Sequence, residues 1–286
     1  GPNLRMYRNS ASPADSDELG NILFQGRNDN SQDVVYATIE TFALDVSDGT
    51  EDAVLNFNVM QAGSSISFFK GNNTEVVVND DSNDLDFRVE SNGNANMLFV
   101  DGGDDAVVVG HSASIASAGE AHELQVYDTN FSLISAATFR NGSDGATLSL
   151  GHSRSGTIGT QTVLNDADIM GAINFVGSDG TDFANIGAAI RGNVDGTPGA
   201  NDMPGRLVFL TTPDGSNSPT ERFRISSDGS LSTNTAGTSN VRFGVNAGNS
   251  IASGGNYNTV VGDEAGTALT TGDANVAMGY QALATE

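Results

Sequence analysis

The chain has 286 residues, 36 of them acidic against 12 basic, with a formal charge of −24, a pI near 4.1 and no cysteine. A surface this acidic repels nucleic-acid phosphates and anionic lipid and favours solubility in a saline or cation-rich medium. Without thiols there is neither a disulfide framework nor a thiolate metal site. No apolar run approaches the roughly 18 residues of a membrane span, no signal peptide is visible, and the Gly-Pro start reads as a processed, tagged or partial chain. With 37% hydrophobic residues, no Trp and 35 Gly, the composition is poor for one large globular core. Short Val/Ile/Leu/Phe runs recur between turn signals, which argues against disorder and for many small strands sharing a core along an axis.

In chain order the strand-like runs are Leu4–Arg8, Asn21–Gln25, Tyr36–Leu44, Ala53–Met60, Glu75–Asn79, Leu85–Glu90, Met97–Val100, Ala106–Gly110, Glu123–Asp128, Ala172–Gly177, Arg206–Thr211 and Arg222–Ser226. Several alternate, as Leu85, Phe87 and Val89 do against Asp86 and Arg88. Between them lie Asp-Gly and Asn-Gly turns such as Ser47–Thr50, Ser91–Asn94 and Pro213–Asn217, where both residues tolerate positive φ. No segment keeps a helical period over three turns. The expected fold class is all-β.

Internal repetition is the strongest organising signal. Gly20–Ile39 aligns without a gap on Gly171–Ile190 at an offset of 151, and Leu55–Val59 meets Leu207–Thr211 at an offset of 152. A β module is therefore duplicated. A shorter period follows: Gly244, Gly262 and Gly279 are spaced by 18 and 17 residues, Asn258 and Asn275 by 17, and Ala247, Ala265 and Ala282 hold the third place after each Gly. The physical reading is a rung with a short strand, a Gly corner and an inward Ala, which must stack on neighbours to bury its apolar face. Four regions result: 1–70, first module; 71–145, connector rungs; 146–230, second module; 231–286, Gly/Asn/Thr/Ala-rich short-period repeats. Candidate inward residues are Ile22, Phe24, Ile39, Leu55 and Phe57, their counterparts Ile173, Phe175, Ile190, Leu207 and Phe209, and the three tail alanines.

The first 28 residues, with Tyr36–Val59, resemble shaft modules of phage tail fibres, especially those of marine phages. Asp86–Gly110 resembles a connector of the same fibres, with Glu221–Leu231 and His122–Asp128 as sister connectors. Asn258–Gly279 is similar to repeats of such fibres and equally to head repeats of trimeric autotransporter adhesins. The resemblance implies an elongated homotrimeric β fibre of prism-like modules and stacked β-helix or β-roll rungs, located on the virion and outside cells. It also implies other virion tail proteins and a host surface glycan or protein receptor as partners. Many such fibres end in a chaperone that cleaves itself with a Ser–Lys pair. The single lysine here is Lys70, so that domain is absent, removed or outside this chain, and no virion-attachment domain is recognisable at the N-terminus.

Candidate chemistry is weaker. Gly151–Gly156 (GHSRSG) invites comparison with a nucleophile elbow around Ser153, but the position of the last elbow Gly holds Ser155 and no strand-to-helix pattern follows, so a polar turn is expected. His111, His122 and His152 are isolated, although a threefold assembly could gather three copies of one of them around a metal. Asn79–Asp84 and Asp101–Asp105 cluster oxygen ligands without EF-hand or calcium β-roll spacing and read as solvated turns. No catalytic, cofactor-binding or metal residue is assigned. The expected function is a non-catalytic shaft segment of a trimeric phage tail fibre used in host attachment. The alternatives are a bacterial surface adhesin or extracellular filament and, less favoured, a tailspike polysaccharide depolymerase using paired carboxylates.

Overall fold

A computed structural model describes residues 1–285. Among them the fold is all-β, with seventeen strands in four sheets and no helix. The contacts divide the chain into two compact units, one of Gly1–Ile115 with His122–Leu133, the other of Ala116–Ala121 with the chain from Ile134 onward.

In the first unit, β1 (Glu18–Arg27), β2 (Asp33–Asp45), β3 (Asp52–Gln61), β4 (Ser64–Gly71) and β5 (Val76–Val78) form an antiparallel meander in chain order. β3 and β4 are joined by Ala62-Gly63, with φ of 47° and 86°, a two-residue turn whose positive φ values match the strand twist. The same unit holds β6 (Phe87–Val89), β7 (Leu98–Asp101), β8 (Ala106–Val109) and β9 (Leu124–Val126), with β8 and β9 parallel. Their small core is Phe99, Ala106 and Val108, with Tyr127 packed against it. Gln125 is buried but satisfied: its Nε2 donates to Ser114 Oγ at 2.7 Å, and its Oε1 accepts the Ile115 N–H at 2.9 Å. The apolar stripe expected of Leu85–Val89 is not buried within the chain, since Phe87 and Val89 are both exposed.

In the second unit the meander recurs as β10 (Ile169–Val176), β11 (Ile186–Val194), β12 (Gly205–Thr211), β13 (Thr220–Ile225) and β14 (Leu231–Thr233). The two sheets share three irregularities as well as their order, while a fourth, at Ala43/Asp45, is confined to the first. The β1–β2 pair shifts register at Glu18/Gly20 and Phe24/Gln25, and β10–β11 shifts at Ile169/Gly171 and Phe175/Val176. A third shift falls at Phe57/Asn58 in one sheet and Phe209/Leu210 in the other. Bulges are local features that depend on individual residues, so three at matching places support the duplication read from sequence. The entry to each sheet repeats too. Asp17 Oδ2 accepts the Ala14 N–H at 3.0 Å and Asp168 Oδ2 the Asn165 N–H at 2.8 Å, while Arg8 and Arg154 bridge the same two aspartates.

β15 (Val241–Phe243), β16 (Thr259–Val261) and β17 (Val276–Met278) then stack in parallel. Their core is Ala247, Ile251, Val260, Ala265, Leu269 and Ala277, with Ala282 packed against it. The tail alanines therefore point inward within one chain. One expectation differs from the structure: Leu4–Arg8 is not a strand. Residues 129–168, where no strand is expected, carry none, and Ile134, Phe139 and Leu148 there are at least 79% exposed.

Candidate assembly surface

In a pleated strand, residues that face each other across the ladder lie on one face of the sheet. Across the first sheet one such row reads Ile22, Ile39, Phe57, Phe69, Val78. Across the second it reads Ile173, Ile190, Phe209, Phe223, Thr233. The flanking rows extend the same faces with Phe24, Ala37, Val59 and Ile66, and with Gly171, Gly192, Leu207, Ile225 and Leu231. Aromatic pairs fix the centre of each row: Phe57 and Phe69 meet edge to face with centroids 5.6 Å apart, and Phe209 lies 5.7 Å from Phe223.

All ten module residues expected to face inward lie on these two faces. They are only partly covered. Phe24 is 52% exposed, Phe175 55%, and Leu55, Ile173 and Leu207 are also exposed. The opposite faces are mixed: each has a polar row, but Val54 is buried there in the first sheet, and Ala189, Val208 and Leu210 form a small buried cluster there in the second. In the first sheet Asn21, Glu40, Asn56 and Lys70 are register partners, and buried Asn58 donates to Thr38 Oγ1 and Glu40 Oε1. In the second, Arg191 and Arg224 flank Val208, and Arg224 is held by Glu221 at 2.8 Å. Neither apolar row has a second layer of strands over it within its own sheet. A cavity of about 330 Å³ opens beside Leu150, Gly171, Ile173 and Ile190, and one of about 310 Å³ beside Met6, Gly20, Ile22 and Ile39. Both sit at matching places on the two apolar faces.

The residues with candidate chemistry are dispersed. Ser153 Oγ accepts the Thr162 N–H at 2.9 Å, closing a turn, while the neighbouring His152 places Nδ1 2.9 Å from the Ile169 carbonyl oxygen. His111 Nδ1 engages its own loop at Ala113, and its ring meets Tyr127 edge on. The His122 carbonyl accepts Gln125 Nε2 at 2.6 Å. Carboxylates of the acidic turns are engaged locally: Asp81 accepts the Ser67 N–H at 2.6 Å, Asp80 pairs with Lys70 at 2.9 Å, and Asp101 accepts the Gly103 and Asp104 N–H groups. Among the described residues no three His, Asp or Glu side chains are grouped to hold a metal ion. The carboxyl held furthest from its ordinary value is Asp195. The Ser227 N–H and then the Arg206 guanidinium hold it down at about 2.

Sequence reasoning found the module faces and a short strand in each tail rung but missed β4, whose Ser64-Ser65 start hides the strand, and the short β14. The Ala62-Gly63 pair was the available signal for the β3–β4 hairpin.

Among the described residues no helix is long and apolar enough to cross a membrane. No protein-family model matches the chain, and no curated protein matches it in sequence. Among solved structures it is similar to the carboxy-terminal domain of the bacteriophage T5 L-shaped tail fibre, with 12% identity and a TM-score of 0.41 over 85% of this chain and 90% of that one. The same domain solved with its intramolecular chaperone gives 13% identity and a TM-score of 0.42, over 85% of this chain and 62% of the other. Likeness at that level carries no weight in assigning this chain.

Proposed function

We propose that the chain is a structural segment of a homotrimeric tail fibre that works in host attachment by mechanical and multivalent means rather than by catalysis. The observation that carries this reading is the duplicated apolar row, Ile22–Ile39–Phe57–Phe69 and Ile173–Ile190–Phe209–Phe223, presented on single-layer sheets. A sheet must bury its apolar face against another layer, and three copies around one axis supply that layer for both modules at once.

In this reading the opposite faces and acidic turns form the outside of a shaft, and threefold copies of weak surface contacts give avidity at the host. The test is the mass of the full chain in native solvent, by sedimentation or native mass spectrometry. The expected species is three times 29.4 kDa, unfolding in one concentration-dependent step. A compact, stable monomer at micromolar concentration refutes the proposal.

A further inference from the structure

The two modules repeat more than their sheets. Before each sheet runs a lead-in segment that pairs in no ladder, Leu4–Arg8 ahead of β1 and Leu148–His152 ahead of β10. Met6 and Leu150 lie on the sheets at equivalent glycines: a Cβ on Gly20 would fall 2.6 Å from Met6 Sδ, and one on Gly171 2.5 Å from Leu150 Cβ. Two residues on, Arg8 Nη1 donates to the Glu18 carbonyl at 3.0 Å, and His152 Nδ1 lies 2.9 Å from the Ile169 carbonyl oxygen. Each segment is thus a strap over the start of an apolar face, and beside it lies one of the two cavities of about 310 and 330 Å³. The six residues lining the first slot all have counterparts lining the second, with Leu19 matching Met170 and Thr41 matching Gly192.

The far edges of the sheets carry a matching pair of side chains. The cross-strand row that begins at Gly20 passes through Thr41, Leu55 and Gly71 and ends at Val76 on β5. Its counterpart begins at Gly171, passes through Gly192, Leu207 and Ile225, and ends at Leu231 on β14. Val76 is 68% exposed and Leu231 60%, although both stand on the apolar side of their sheets. Leu231 shares a smaller cavity of about 210 Å³ with Phe223 and Phe243 and still keeps that exposure. The larger of the two side chains belongs to the module with the larger slot.

We infer that the slot beside each strap receives the end residue of the same row from a neighbouring copy of the chain. Val76 enters the slot at Met6 and Gly20, and Leu231 the slot at Leu150 and Gly171. The inference rests on the reading of several copies around one axis and names the seam between them. A ring built by rotation joins unlike surfaces, because each copy offers one edge to the neighbour ahead and the other to the neighbour behind. Rotation without translation keeps equivalent residues at one level. With the strands following the axis, the two ends of one row therefore meet across the seam. The same contact covers the outer edges of β1 and β5, and of β10 and β14, which end their sheets and need cover.

The chain has no cysteine, so thiols placed singly report one contact at a time. Full-length Leu150→Cys and Leu231→Cys chains, one of them carrying an affinity tag, are refolded together, their mass is measured, and a short bis-maleimide is added. Met6→Cys with Val76→Cys tests the first module in the same way. The control is Asn174→Cys with Leu231→Cys, since Asn174 is exposed on the opposite face. The expected product in both modules is a covalent pair holding one chain of each kind, at least about tenfold more abundant than in the control. Multi-chain species that link no better than the control overturn the inference and leave the fibre reading standing, whereas a single-chain mass for the unsubstituted chain overturns both. If the cysteine chains of one module fail to assemble, the pair in the other module decides.

Discussion

Asn258→Ala isolates the side-chain relay that joins the rungs. Asn258 is 1% exposed, and its amide makes three bonds: Nδ2 to the Gly272 carbonyl at 2.8 Å, and Oδ1 from the Asn275 N–H at 2.8 Å and Asn275 Nδ2 at 3.0 Å. At about 1 kcal/mol net per bond the loss is about 3 kcal/mol. The larger penalty for stranded partners is not added, because Gly272 is exposed and Asn275 only half-buried, so water reaches both. Asn275→Ala removes one of the three bonds and is expected to cost about 1 kcal/mol. Asn249→Ala touches a single exposed contact with Ser250 at 3.4 Å and is expected to stay within about 0.5 kcal/mol. The assay is native-state amide exchange at Thr259–Val261 and Val276–Met278, since stability in a stacked array is local to neighbouring rungs. At about 1.4 kcal/mol per tenfold change, Asn258→Ala should speed exchange there about 150-fold. If Asn258→Ala matches Asn249→Ala, or Asn275→Ala costs as much as Asn258→Ala, the relay is not what holds the rungs.

The joint variant Ile39→Asp with Ile190→Asp puts a carboxylate on each apolar row and should shift the sedimenting species to the single-chain mass, whereas Asn174→Asp, exposed on the opposite face, should leave it unchanged. Gly262→Ala should destabilise the stack more than Gly279→Ala in thermal unfolding: both distort a positive φ, but only the first drives a Cβ to 2.6 Å from the backbone of the next rung. The depressed Asp195 carboxyl contributes stability that is complete above its unfolded value near 4 and is lost as pH falls through about 2. Acid titration followed by circular dichroism should therefore show a steeper loss between pH 4 and 2 for the wild type than for Asp195→Asn; parallel curves would exclude the contribution.

The duplicated sheets were legible because two independent signals agreed. The apolar triplet of β1 and β10 carries a strand period, and the 151-residue offset placed both copies on one template. The face itself could be named for the same reason, since alternation fixes which residues share a side once the register is known. The bulges were not legible: they depend on backbone choices at Phe24/Gln25 and Phe57/Asn58 that no residue type there announces. The rung alanines were read correctly from spacing, but the asparagines were seen only as a repeated letter. Their role as acceptors for the next rung's N–H depends on a stack height that sequence spacing does not give. Leu4–Arg8 failed for the opposite reason, because five residues of strand-like composition found no partner to pair with.

The asparagine relay has a consequence for how such a chain can vary. Each Asn engages a backbone group one full winding away, and windings of 18 and 17 residues both keep the 2.8 Å bond, so one residue more or less is taken up between successive asparagines, while a whole winding can be gained or lost without disturbing those on either side. Length in this region is therefore counted in integers. Recombination between near-identical windings would lengthen or shorten the stack in fixed steps and leave its cross-section and outer face unchanged.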